Sequence, residues 1–522
     1  MNLIDDRAKE ISRANSMLEV ASWASYRYAT YNHSAVTRIV EAAAKRGEAL
    51  ARELAEAAVE ETGFGVVEHK VIKNLGCSRE LLDRYTGFDF ATPVVDPHSK
   101  TVSIPKPAGV VLGITPSTNP VATVYAKALM ALMARCSIII SPHPFAKKVC
   151  ARAAHELNAA AVEAGAPDGV IQVVEEPSIP LIEHLMKSDK VDLIVATGGS
   201  EVVRSAYSSS NPAYGVGPGN VPVVVDASAN LKDAARRIVD SKSFDNSILC
   251  TNESVLIVER RVAEKLKAEL ARAGAHLCSE TESEALRDLL FPRGQFDTRF
   301  VGKDARSIAK AASIRVPPSV RILAAEFGAV FPEEPLCHEK LCPVLGLVVA
   351  DDFDDAIAKA KAVLRVTGAG HSAALHSSDG DNIATFGAAL PVLRVSLNVG
   401  NSLGSSGFET NLPPTMTIGT GFLGRSSLGE NLRPDHLVHY TTIALNRDPA
   451  EVLPDRSHLD RNDMPNGPVP AYPLEGVARP SGMDMRSSVA VPRPGASDPG
   501  EVALRAQIRQ LVLEELAEMM KG

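Results

Sequence analysis

Three things are missing from this 522-residue sequence, and each absence excludes a class of function. Long apolar runs are absent: stretches such as "VPVVVD" and "GVVLGI" are far too short to span a bilayer, so no membrane anchoring is expected. Positive charge is not in excess. The formal net charge is −8, so no basic field invites nucleic acid. Paired cysteines are absent as well. The seven cysteines (77, 136, 150, 250, 278, 337, 342) are odd in number and scattered, and none shows the CxxC or Cys/His spacing of a metal site. No metal is therefore expected, and free thiols in a reducing, cytoplasmic compartment are the simplest reading. The opening "MNLIDDRAKEIS" also lacks the charged-then-apolar pattern of a signal peptide.

What is present is an ordinary globular composition, 45% hydrophobic and 23% charged, long enough for two to four domains. Residues 36–62 carry apolar residues at helical spacing, with Gly63 as a stop. From about residue 107, short apolar runs alternate with amphipathic stretches: "AGVVLGI", "SIIIS", "GVIQVV", "VDLIVATGG" and "VPVVVD", each followed by a helical pattern. Apolar strands with helical crossovers mean buried parallel strands. A second series follows Cys250, with "SVLIVE" and "LGLVVA". The fold class is α/β in two domains, with Cys250 near their seam.

The last part differs. Thirteen of the 36 residues from Pro465 to Gly500 are Pro or Gly, which suits a linker and not a packed core. After it, Leu504, Ile508, Leu511, Val512, Leu516 and Met519 fall on one helical face. Asp498 or Ser497 would cap that helix, with Pro499 in its first turn. An apolar helical face on a tether reads as a docking peptide.

Cys250 lies in "FDNSILCTNE". Most free cysteines are small core residues. This one follows a polar, turn-forming run, which places the thiol on a loop, where reactive groups tend to be held.

These segments resemble, in order along residues 5–448, the aldehyde dehydrogenase superfamily and within it the CoA-acylating branch. The resemblance rests on "PAGVVLGITPSTNP", "SIIISPHPFAKK", "ATGGSEVV", "YGVGPGNVP", "FDNSILCTNE", "EEPLCHEKLCPVL", "GAGHSAALH" and "PPTMTIGTGFLGRSSLGENLRPDHL". It implies a Rossmann-like cofactor domain over 1–226, a catalytic domain over 227–430 and a return segment over 431–450, with a linker at 451–500 and a helix at 501–522. An oligomerisation hairpin at 93–107 would pair near 434–446 and make a homodimer or homotetramer.

The resemblance also implies the roles. Cys250 would add to the aldehyde and carry the acyl group as a thioester once hydride has left to NAD, or to NADP. Asn119 and the Cys250 backbone N–H would hold the oxyanion. Asn119 sits one place later than in the hydrolytic enzymes, and Thr118 occupies the aligned position. Gly198 and Gly199 would allow close approach of the cofactor. Ser141, His143 and Thr118 would line its site, and Glu339 would hold the nicotinamide ribose. Where hydrolytic enzymes carry a ribose-binding Glu, this sequence has Pro144, which leaves NAD against NADP open. His371 would act as an acid/base or positioning residue.

One departure bears on the reaction. Hydrolytic relatives carry a water-activating Glu in "ELGGKNP"; here that place is Gly215, with no carboxylate between Ala213 and Val225. A missing general base costs roughly 10²–10⁴-fold in rate, which favours a thiol acceptor, coenzyme A. The alternative is that Glu253, three residues from Cys250, serves as the base and the product is the free acid. The terminal helix resembles the peptides that bring such enzymes into bacterial microcompartments, with a shell protein as its partner.

Overall fold

Runs rich in Val and Ile become parallel strands because both faces of such a sheet are covered by helices, so no position along the strand has to be polar. The computed structural model describes residues 3–452 and Tyr472. The linker expected beyond Val452, apart from Tyr472, and the helix expected over 501–522 lie outside the described residues.

Two parallel sheets carry the fold, as the alternating pattern implied. The strands, in chain order, are β1 (Val94–Asp96), β2 (Thr101–Pro107), β3 (Val110–Thr115), β4 (Ser137–Pro142), β5 (Ile171–Val173), β6 (Leu193–Ala196), β7 (Ala213–Gly215), β8 (Val221–Val225), β9 (Glu253–Glu259), β10 (Ala275–Cys278), β11 (Ile322–Glu326), β12 (Val344–Ala350), β13 (Ala373–His376), β14 (Val395–Leu397) and β15 (Val438–Ala444). The first sheet runs β5–β4–β3–β6–β7 and the second β10–β11–β12–β9–β8–β13–β14. In the first, the chain leaves β3 toward β4 and β5 and later returns to β6 on the other side. The crevice at the carboxyl ends of β3 and β6 is therefore a topological switch point, where open α/β sheets bind their ligands.

The strand "VPVVVD" changes sides relative to the sequence reading. A first domain reaching residue 226 would include β8, yet β8 pairs with β9 and β13 in the second sheet. The crossing falls in the segment between Gly215 and Val221. Buried strands of both sheets look alike in sequence, so composition cannot assign one to its sheet.

Alternation along β8 shows how the second core is split. Val223 and Val225 pack with Ile238 and Leu266 on one face. Val224 packs with Leu286, Ile308 and Ile357 on the other. In the first sheet the helix Pro120–Met133 is buried along its whole length. Its Lys127 donates to the carbonyls of Ile114 (2.5 Å) and Val195 (2.8 Å), bracing β3 against β6 beside the switch point.

The third sheet is antiparallel, ordered β1–β2–β15. Its pairing runs from Pro107 opposite Val438 to Thr101 opposite Ala444. This joins the hairpin segment to the return segment. Beyond Val438, the residues of β15 are exposed.

Candidate functional site

The site begins at two ends of strands. The carboxyl ends of β3 and β6 deliver Thr118 and Asn119 on one loop and Gly198 and Gly199 on another. The amino ends of β8 and β9 deliver Gly219 and Cys250. All of these strand-end loops belong to one closely packed unit.

Cys250 follows a knotted turn. Asp245, Asn246 and Ser247 have φ of 48°, 53° and 61°, three consecutive left-handed non-glycine residues. Each such residue costs about 1–2 kcal/mol unless its surroundings hold it, Asp and Asn tolerating the region best. Here the surroundings do. The Asp245 N–H donates to His69 Nδ1 (2.7 Å), and Asn246 Nδ2 donates to the Gly302 carbonyl (2.9 Å). On the far side of Cys250, Asn252 accepts from the Leu249 N–H (2.8 Å) and donates to the Ser241 carbonyl (2.5 Å). Gly219 lies against the thiol-bearing residue: a Cβ there would stand 2.0 Å from the Cys250 carbonyl oxygen. Glycine is required for that approach.

Cys250 and Cys278 are the two cysteines that retain surface; the other five are buried. Burial, and then the Glu339 carboxylate, push the Cys250 thiol up to about 12, while its own N–H and Arg394 pull the other way. At rest Cys250 is thus a neutral thiol. Glu339 is itself raised to about 8 by burial, against the pull of Lys242, the Gly219 N–H and Lys340. Glu339 therefore stands within electrostatic reach of the thiol. Glu253 is buried too: burial raises it to about 7, and its Oε2 has no partner among the described residues. Its Oε1 accepts from the Asn401 N–H (2.7 Å), and it caps the helix Asn401–Ser405 from within the core.

Asn119 opens the helix Pro120–Met133, yet its side chain makes no capping bond. Its Oδ1 instead accepts from Lys73 Nζ at 2.6 Å, and its Nδ2 lies 3.3 Å from Thr118 Oγ1. Lys73 also pairs with Asp245, as does Lys70 at 3.1 Å. Both lysines and the aspartate are essentially excluded from solvent. Burial pushes Asp245 up, but the two ammonium groups outweigh it and hold the carboxyl below its ordinary value. Burial brings Lys73 down to about 8 despite Asp245. Lys70 further touches the Thr118 carbonyl (3.4 Å).

This cluster escaped the sequence reading. In the helix Val67–Gly76 the buried residues are Lys70, Lys73, Asn74 and Gly76, while Ile72 is exposed. Such a face inverts ordinary amphipathicity, so a hydrophobic pattern puts these lysines in solvent. Arg394 was missed as well. It is buried and donates to the carbonyls of His371 (2.9 Å), Gly419 (2.7 Å) and Gly429 (2.9 Å).

His371 is fully buried, and burial followed by Arg394 lowers it to about 3, so it stays neutral at any working pH. Its Nδ1 meets Ser372 Oγ (2.9 Å). Asn401 Nδ2 in turn reaches Ser372 Oγ (3.0 Å) and the Thr251 carbonyl (2.7 Å), so a hydrogen-bonded chain ends beside Cys250. His371 Nε2 is buried with no partner among the described residues.

A dinucleotide fits the switch point on three observations. Ser141, at the end of β4, has a buried Oγ without a partner among the described residues. Gly199, which opens the helix Ser200–Tyr207, would meet nothing within 4 Å if it carried a Cβ, and Gly198 nothing nearer than 3.6 Å. The protein's own packing does not demand those glycines, and the open space beside them would admit a closely approaching ligand. His143 extends the same rim: its N–H bonds the Thr115 carbonyl (3.0 Å), and its Nδ1 accepts from the Phe145 N–H (3.1 Å).

The profile of the aldehyde dehydrogenase family matches residues 6–285. An aldehyde-alcohol dehydrogenase of Clostridium acetobutylicum is 39% identical over 446 residues, covering 84% of this chain and 51% of that protein. The chain thus spans about half the length of such curated relatives. A crystal structure of an acetylating aldehyde dehydrogenase from Geobacillus thermoglucosidasius superposes with a TM-score of 0.84 at 36% identity, covering 87% of this chain and all of the other. A propionaldehyde dehydrogenase from the fucose-utilisation microcompartment of Clostridium phytofermentans gives 0.75 at 27% identity, covering 83% of this chain and 97% of its own. The chain belongs to the aldehyde dehydrogenase family.

The Glu339 geometry makes a prediction with a sign. Below its pKa of about 8 Glu339 is neutral; above it, its charge opposes thiolate formation. Glu339→Gln should leave alkylation of Cys250 by iodoacetamide unchanged near pH 6.5. At pH 9 it should speed it roughly tenfold, the equivalent of about one pKa unit. Rates followed by mass spectrometry in a Cys278→Ser background decide it.

Proposed function

We propose that the chain oxidises a short-chain aldehyde to an acyl-CoA, with NAD or NADP as hydride acceptor and coenzyme A as acyl acceptor. The observation that carries this reading is the packing around Gly215. A Cβ there would stand 2.5 Å from Val203 Cγ1 and 2.8 Å from Tyr207 Cε2. Tyr207 Oη also receives the Gly215 N–H (2.9 Å). A side chain at the place of the hydrolytic base would meet Val203 and Tyr207, and one oxygen of Glu253 is held by the Asn401 N–H. With no carboxylate at position 215 to activate a water, a thiol is the favoured acceptor.

The steps follow from the chain's own groups. The Cys250 sulfur bonds to the aldehyde carbon and gives up its proton, and ionised Glu339 is the carboxylate within electrostatic reach of it. The oxygen becomes an oxyanion, held by Asn119 Nδ2 and the Cys250 N–H. A bound nicotinamide dinucleotide supplies the hydride acceptor; Ser141, His143, Thr118, Gly198 and Gly199 would hold it at the switch point. Loss of hydride leaves a thioester on Cys250. The CoA thiolate then bonds to that carbonyl carbon, the Cys250–carbon bond breaks, and Cys250 leaves as thiolate. His371, neutral and tied to Thr251 through Ser372 and Asn401, positions the loop and does not carry charge.

Two wider readings accompany this one. Exposed Val94, Tyr440 and Ile443 on the antiparallel sheet support its use as a contact between copies in a homo-oligomer. The resemblance to a microcompartment enzyme supports packaging through the terminal helix.

NADH formation from acetaldehyde or propionaldehyde should require CoA and yield acyl-CoA; CoA-independent turnover to the free acid would sink the reading. Gly215→Glu should not create a hydrolase. It should lower stability by about 1–3 kcal/mol or more, the usual cost of overpacking, seen as a fall in Tm with no rise in acid formation. Removing residues 501–522 should spare activity in solution and abolish co-purification with shell protein.

A further inference from the structure

Asn119 is useful as an oxyanion donor only if its amide presents nitrogen, not oxygen, to the substrate. The two ends of an amide have nearly the same shape, so packing alone chooses weakly between them. A lysine ammonium has only donors. The amide atom facing Lys73 Nζ at 2.6 Å must therefore be the oxygen. That contact points Nδ2 the other way, where Thr118 Oγ1, at 3.3 Å, is its one neighbouring acceptor among the described residues. Lys73 is in turn held by Asp245, five residues before Cys250, and Asp245 is pinned by the Val66 N–H (2.6 Å) and by Lys70. A Cβ on Gly65 would stand 2.1 Å from Asp245 Oδ1, so the backbone closes over this carboxylate.

We propose that Lys73, clamped by Asp245, is a positioning residue for the oxyanion hole: it fixes the rotamer of the Asn119 amide and sets that amide against the turn that carries Cys250. Two lysines facing one aspartate leave one net positive charge behind the amide oxygen. That charge polarises the amide and strengthens its N–H as a donor. The assignment rests on the proposed oxidation of an aldehyde at Cys250, but not on which acceptor removes the acyl group.

The test is a double-mutant cycle on the first half-reaction, read as the single-turnover burst of NADH before any acyl acceptor is added. Asn119→Ala should slow the burst by roughly 10²–10³-fold, the usual cost of one oxyanion donor. Lys73→Met should slow it roughly 10- to 100-fold, as a fraction of that same donor. In the Asn119→Ala background Lys73→Met should add less than about twofold, since its target is gone. Alkylation of Cys250 by iodoacetamide should change by less than about twofold in both variants. Lys73→Gln, which keeps a donor, should retain more of the burst than Lys73→Met. It also stands in if the methionine variant does not fold.

Equal factors for Lys73→Met in the two backgrounds would overturn the proposal. So would an unaffected burst, or loss of Cys250 alkylation in parallel with the burst, which would mark a merely structural lysine. A wild-type protein with no burst at all would instead defeat the reading of the reaction. Hydrolysis without CoA would defeat only its second half.

Discussion

Asp245 can be charged where it sits only because Lys70 and Lys73 sit with it. A carboxylate with no access to solvent is tolerated when it is paired and hydrogen-bonded; removing one partner of such a pair typically costs about 3–5 kcal/mol. The pairing has a geometric consequence. The lysines come from the helix Val67–Gly76, the aspartate from the turn before Cys250, and the amide oxygen that Lys73 also holds from the loop after β3. Three segments far apart in the chain are thereby fixed to one another at the seam between the two sheets. The left-handed run Asp245–Ser247 persists because these contacts determine it from several sides.

Around that anchor the site divides by charge. On one side stand cations with no exposed surface. On the other, burial disfavours the charged forms of Glu339 and Cys250, and the Glu339 charge further opposes the thiolate, so each holds its proton more tightly than in water. A thiol that is neutral at rest becomes a nucleophile only when its proton has a taker. Gly215 and Gly219 frame the same space differently. Gly219 lets backbone reach Cys250, whereas Gly215 is closed by Val203 and Tyr207. The first glycine makes room for backbone at Cys250, and a side chain at the second would have to displace Val203 and Tyr207.

Much of this was legible from residue order. The alternating runs read as parallel strands, Cys250 stood out by its polar loop, and "YGVGPGNVP" showed a glycine where hydrolytic relatives carry a glutamate. Other features were illegible for specific reasons. Lys70 and Lys73 lie on the buried face of a helix that exposes Ile72, so hydrophobic patterning sends them to the wrong side. Arg394 sits in an unremarkable "VLRVSLN" and gains meaning only from the carbonyls that converge on it. Glu253 looked like a rival base by its three-residue spacing, but strand β9 turns it into the core toward Asn401.

The sequence by itself determined the class of fold and the family, and it singled out Cys250 as the candidate thiol, because these depend on local periodicity and on residues adjacent in the chain. Tertiary structure alone decided which sheet β8 joins, which end of the Asn119 amide is free, and which carboxylate feels the thiol. Each of these depends on groups brought together from opposite parts of the chain, and on burial, which sets whether a lysine, a glutamate or a cysteine keeps its charge.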